Sequence, residues 1–111
     1  MTEQTPAQKK SRRQVLEEFV AQKPDDAFSR YALALECMNN GDSIAADQHF
    51  RALLGHGSGY IPGYQMYGQF LAREQRVGEA RQVLAAGIAA ADKAGNSHAR
   101  SEMEALLNEL A

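Results

Sequence analysis

The residues of this 111-residue chain that are able to do chemistry are few and scattered. GHGSGY, at residues 55 to 60, sets His56 and Ser58 in a glycine-rich segment of the kind that cradles a phosphate or presents a nucleophile. It lacks the Lys-Ser/Thr ending of a phosphate loop. It also lacks the GxSxG order of a nucleophile elbow, because His56 stands two residues before Ser58. A flexible turn is the reading those glycines support. His49, His56 and His98 fall in three different segments without HxxxH spacing, and Cys37 lies among apolar residues, so no set of metal ligands assembles. Lys9, Lys10, Arg12 and Arg13 form a basic cluster that could meet an anion or a nucleic acid. Glu17 and Glu18 follow within about a turn, however, and no aromatic is interleaved for base stacking, which favours a solvated helix end. No nucleophile, base and orienting group come from neighbouring segments, and neither an enzyme nor a cofactor is expected.

What remains is recognition chemistry. Phe28, Tyr31, Leu35 and Met38 recur at intervals of three and four, and Gln65, Gln69 and Arg73 at intervals of four, so each set lines one face of a helix. The first stripe is apolar and suited to burying side chains. The second carries amides and one guanidinium, which satisfy backbone groups or a carboxylate. An exposed stripe of several large apolar side chains is uncommon on a monomer unless it is an interface, so the first stripe is expected either to bind a partner or to lie beneath a terminal helix or a second copy.

Six helices are needed to position these faces. Thr5-Pro6-Ala7-Gln8 has the form of a capping box with proline at the first helical position, and Ser11 with Gln14 offers a second start for the same helix. Val15, Leu16, Phe19 and Val20 form its apolar face, and Pro24 ends it. Asp25 and Asp26 cap a second helix over 27 to 39, stopped by Asn40 and Gly41, and Asp42 caps a third to about Leu54. Pro62 opens a fourth to about Glu74, and Val77 to Ala94 is a fifth closed by Gly95. Asn96 or Ser97 caps a sixth, which carries Met103, Leu106, Leu107 and Leu110. Composition agrees: nineteen alanines against nine Val, Ile and Thr residues, with no Trp, favour an all-α chain over a β-sandwich or barrel. Twelve basic against fourteen acidic residues give a net charge of -2, too weak a field to imply nucleic acid or membrane binding by itself. The lone cysteine, the absence of an apolar run in MTEQTPAQKK and the absence of a membrane-length apolar stretch fit a cytoplasmic protein.

Sliding the sequence along itself by 34 residues aligns Leu33 with Tyr67, Ala34 with Gly68, Cys37 with Leu71, Ala46 with Ala80, Phe50 with Leu84, and Leu54 with Ile88. Small residues meet small ones where paired helices would approach closely, and large ones fill the space beyond. A 34-residue helix-turn-helix with this alternation resembles the tetratricopeptide repeat (TPR). PDDAFSRYALALECMNNGDSIAADQHFRALL, residues 24 to 54, is similar to one repeat, and YIPGYQMYGQFLAREQRVGEARQVLAAGI, residues 60 to 88, to a second whose turn glycine is replaced by Gln75.

The resemblance implies a right-handed α-α superhelix, a single domain over 1-111. It divides into an N-terminal half-repeat helix (7-23), repeat 1 (24-57), repeat 2 (58-95) and a capping helix (96-111). It further implies a concave groove built from the second and fourth helices, with Phe28, Tyr31, Leu35, Met38, Gln65, Gln69 and Arg73 on it. The implied function is non-enzymatic binding of a peptide or protein segment there. A homodimer using the same apolar surface and weak nucleic-acid binding by the 9 to 13 cluster are the alternatives. Relatives that clamp a C-terminal carboxylate carry lysine and asparagine on this face, where Tyr31 and Leu35 stand here, so that specificity is not implied.

Overall fold

A computed structural model describes residues 9-56 and 59-110. They form six helices: α1 (Arg12–Gln22), α2 (Ala27–Asn39), α3 (Ser43–Gly55), α4 (Ile61–Arg73), α5 (Val77–Ala94) and α6 (Ser97–Glu109). The start of α1 lies at the second of the two candidate caps. Ser11 Oγ accepts from the Gln14 N–H at 3.1 Å and the Ser11 N–H donates to Gln14 Oε1 at 2.8 Å, a complete capping box. The Thr5 to Gln8 alternative lies outside the described residues. Asp26, Asp42 and Asn96 each accept the third following N–H at 3.0 to 3.1 Å, which satisfies an orphan donor at the starts of α2, α3 and α6.

The 34-residue period is written in the backbone. After α2, Gly41 adopts φ 79°, its N–H donates to the Met38 carbonyl at 3.1 Å, and the Asp42 N–H donates to the Cys37 carbonyl at 2.9 Å. After α4, Gln75 adopts φ 66°, its N–H donates to the Ala72 carbonyl at 3.1 Å, and the Arg76 N–H donates to the Leu71 carbonyl at 2.8 Å. This is the same left-handed helix stop, with its paired 5→2 and 6→1 bonds, made once with glycine and once with glutamine. The aligned side chains follow suit. Five of the six pairs, from Leu33 with Tyr67 to Phe50 with Leu84, are buried in both members, and Leu54 and Ile88 are both half-buried.

The chain divides into two compact units, residues 1-53 and 54-111. In the first, α1 packs on α2, and Leu33, Ala34, Cys37, Ala46, Phe50 and Leu53 are buried. The apolar face of α1 is narrower than its sequence suggests. Val20 is buried and Leu16 half-buried, whereas Val15 and Phe19 are exposed. Arg13, Leu16 and Val20 share one ridge of the helix and turn inward together, while Val15 and Phe19 lie on the next ridge, about 100° round.

In the second unit α5 packs on both α4 and α6, and α6 also touches α4. Ile61, Leu84, Ala91, Ala99 and Met103 form its buried centre. Two glycines permit the approach. A Cβ on Gly68 would lie 2.6 Å from a Leu84 methyl, and one on Gly87 would lie 2.5 Å from Met103 Sδ and 2.6 Å from Tyr64 Cβ. Gly87 therefore marks the place where all three helices meet.

Candidate functional site

The residues singled out for recognition divide between the two units. In the first, Phe28, Tyr31 and Leu35 line a shallow groove of about 420 Å³ along α2, together with Ala32 and Asn39. Phe28 is 67% exposed, and Tyr31 and Leu35 are half-buried. Met38, half-buried on the same helix, is not among the residues lining the groove. The polar edge is an ion pair between Arg12 Nε and Glu36 Oε1 at 3.2 Å, which ties the start of α1 to α2. Neither partner was expected at the site: Arg12 reads in sequence as part of a basic cluster, and Glu36 stands outside both stripes. Arg12 comes to lie there because α1 packs on α2.

That packing also uses up much of the basic cluster. Lys10 Nζ sits 2.8 Å from Glu18, and Arg13 bonds Glu17 at 3.1 Å and Asp42 at 2.9 Å. The bond from the Ala45 N–H, with that from Arg13, holds the Asp42 carboxyl below the usual carboxylate range. Such exposed pairs add little stability, but they leave the cluster locally neutralised.

In the second unit, Gln65 and Gln69 are half-buried and Arg73 exposed. The Gln65 side-chain amide donates to Glu102 Oε1 at 3.1 Å and bridges α4 to α6. Further along the same two helices they enclose a pocket of about 250 Å³. Gly68, Ala72 and Leu84 make its floor, Leu106 and Leu110 its far wall, and Gln69, Arg73 and Glu109 its rim. The contribution of α6 is the part that sequence reading missed, since Leu106 and Leu110 were legible only as a capping face. The absent side chain of Gly68 was the available signal.

Among the remaining reactive groups, Cys37 is taken up in packing and His49 and His98 make polar contacts. Cys37 is fully buried, and burial pushes its thiol above the ordinary value, so it stays protonated and unreactive. His49 Nδ1 lies 3.3 Å from Arg30 Nη1 and His98 Nε2 lies 3.1 Å from Glu102. Among the described residues no three His, Cys, Asp or Glu side chains gather into a metal-binding group, and no helix is long and apolar enough to cross a membrane. Gly57 and Ser58 of the glycine-rich segment lie outside the described residues.

No family model matches the chain. It is 27% identical over 95 residues to a TPR repeat-containing protein of Pseudomonas aeruginosa, an alignment covering 86% of this chain and 90% of that protein. The solution structure of a protein from Bordetella parapertussis matches it with a TM-score of 0.76 at 26% identity, covering 92% of this chain and 89% of the other. The likeness to the tetratricopeptide repeat is thus carried both by the period within the chain and by a relative bearing that name.

Proposed function

We propose that the chain is a TPR-like helical solenoid of two repeats, with a flanking half-repeat helix and a capping helix, and that it works as a non-enzymatic protein-interaction module. The observation that carries this reading is the groove on α2: Phe28, Tyr31 and Leu35 present large apolar surface that the packing of α1 does not bury, beside a polar edge at Arg12 and Glu36. Apolar side chains gathered in one place and rimmed by charge are how soluble proteins mark a contact surface. An amphipathic partner segment would bury its apolar side chains on Phe28 and Leu35 and meet the ion pair at its polar flank.

Gln69 and Arg73 on α4 supply a second, polar contact region of the same module. The likeness to a TPR repeat-containing protein supports an interaction role in general terms. A second copy of the chain is the competing occupant, favoured by the further exposed side chains Val15, Phe19 and Ile44 in the same unit.

Leu35→Glu tests the reading. It is expected to leave the denaturation midpoint within about 0.5 kcal/mol of wild type while abolishing partner capture, because the site is half open to water. Loss of self-association with retained partners would assign the face to a dimer. Outright unfolding would show that Leu35 is core, since a buried unpaired carboxylate costs several kcal/mol.

A further inference from the structure

We propose that α1 is a self-association surface, across which two copies of the chain pack antiparallel through Val15 and Phe19. Neither residue lines the α2 groove, so the dimer is separate from the partner site. The observation behind it is a break in the period. Phe19 is 54% exposed, yet the residues one and two periods on, Leu53 and Gly87, are both buried. Arg12 is exposed as well, where Ala46 and Ala80 are fully buried. Gly87 shows the cause, because a Cβ there would meet Tyr64 on α4 and Met103 on α6, one helix before it in the chain and one after. α1 packs on the helix that follows it, and among the described residues no helix comes before it. Residues 1 to 8, MTEQTPAQ, have Met1 as their only large apolar side chain and bring no apolar stripe to Phe19.

The occupant follows from shape and charge. A helix seated on α1 as α4 is on α5 would need the small residue that Ala80 supplies, and a guanidinium stands there instead, so the array is not extended in register. The last helix does not fit either. Ser97, Arg100, Ser101 and Asn108 are exposed on α6, and Arg100 is paired with Asp92 and Glu104, which leaves little apolar surface for the α1 of another copy.

A second α1 does fit. Lys9 and the exposed Arg12 stand at its start, and Asp25 and Asp26 follow its end. A two-fold axis near Phe19 sets the basic start of each copy beside the acidic turn of the other and opposes the two helix dipoles. It also places Phe19 against its mate, an aromatic pair flanked by Val15 from either side. Glu17 and Glu18, close to the axis, are already met by Arg13 and Lys10 of their own copy. A parallel pair would bring the like-charged ends together. Two apolar residues on an 11-residue helix make a contact smaller than the roughly 1,200 Å² of a standard interface, so the dimer is weak and concentration-dependent.

Sedimentation of the full-length chain from about 10 μM to about 1 mM should show a monomer–dimer equilibrium with a dissociation constant on the order of 100 μM. Phe19→Glu should weaken it by about tenfold or more without moving the thermal midpoint, and Val15→Ser, a milder change on the same face, by severalfold. Leu35→Glu should leave it unchanged. For the orientation, 15N-labelled wild type is mixed with unlabelled Lys9→Cys protein carrying a nitroxide at that position, the buried Cys37 being unreactive. Broadening is expected at the amides of Asp25 to Ser29 in the labelled copy. A chain that stays monomeric at the highest concentration, a Phe19→Glu protein that dimerises like wild type, or one that unfolds because the face is already core would each overturn the proposal. So would loss of the dimer in Leu35→Glu, which gives the second copy to the α2 groove, or broadening centred on α6 or on the residues around Lys9. Partner capture by the α2 groove is read separately, so failure of the dimer leaves that reading standing.

Discussion

The two units of the chain use the same repeat to different ends. In α4 to α6 the apolar residues are turned inward: Leu84 is 1% exposed against Gly68, Met103 is fully buried against Gly87, and Leu106, Leu107 and Leu110 pack on that centre. In α1 to α3 a core of similar kind surrounds Phe50, yet all four of the markedly exposed large hydrophobics among the described residues, Val15, Phe19, Phe28 and Ile44, belong to this unit. Polar links such as Arg12 to Glu36, Arg13 to Asp42 and Arg30 to His49 tie its helices. Side chains shut into a core stabilise a fold, whereas side chains left on a surface are available to bind. Under the proposed function, the contrast puts stability and recognition on different residues of one architecture.

The sharpest way to break that contrast is to truncate one residue of each kind. Leu84→Ala is expected to destabilise by about 2 to 5 kcal/mol, because it removes buried methyl groups where Gly68 offers no side chain to fill the void. Phe28→Ala, although it deletes a larger side chain, should move stability by about 0.5 kcal/mol or less. Denaturant midpoints measure both. Comparable losses would mean that Phe28 is packed in solution and that the exposed set is not a free surface.

Overfilling tests the two units where they are alike. Ala46 and Ala80 are both fully buried at matching positions of the period, and leucine at either should cost about 1 to 3 kcal/mol by overpacking. A cost at Ala80 with none at Ala46 would show that only the second unit holds its helices at fixed spacing.

These paired positions were legible because burial within a repeat depends on spacing, and Leu33, Cys37, Phe50 and their partners 34 residues on keep that spacing. The helix limits were legible for a similar reason: Asp26, Gly41, Gly95 and Asn96 act on the backbone through their own bonds or their own φ. Exposure on α1 was not legible, because Val15 and Leu16 are adjacent in sequence and only the direction from which α2 approaches decides which is covered. Gly87 was hidden as well. In an alanine-rich helix a glycine looks merely tolerated, and its role follows from Tyr64 and Met103 arriving from two other helices. The α4 and α6 pocket depends on such an arrival too. Each stripe of candidate binding residues, by contrast, could be read as a helical face, though not what lies beside it.

The turns offer a finer comparison, since Gly41 and Gln75 hold the same left-handed conformation. A Cβ at Gly41 would meet nothing within 4 Å, so substitution there acts through backbone preference alone. Gly41→Gln should destabilise by about 1 kcal/mol. Gln75→Gly should stabilise by less, about 0.5 kcal/mol, because glycine also loosens the unfolded chain. Opposite signs in the two units would show that one turn serves both. A loss at Gln75 would instead mean that its side chain does something the backbone does not require.

The smallest effect is conditional on pH and belongs to the first unit alone. Arg30 has only donors, so in the 3.3 Å contact its Nη1 donates to a neutral His49 whose Nδ1 accepts and whose proton sits on Nε2. Burial, then the charges of Arg30 and Arg13, hold the His49 pKa below its ordinary value, while Glu17 and Asp42 oppose them more weakly. In the unfolded chain the same imidazole titrates near its ordinary value of about 6.5. Below that pH the unfolded chain takes up a proton that the folded one resists, so the contribution is complete above about pH 6.5 and is lost as the pH falls toward the lower folded value. His49→Gln keeps an acceptor for Arg30 but cannot titrate. Thermal midpoints measured between pH 7.5 and pH 5 should fall further for wild type than for His49→Gln, with the two converging at the upper end. Parallel curves would mean that Arg30 and His49 do not hold this contact in solution, and would remove one of the polar links that distinguish the first unit from the apolar closure of the second.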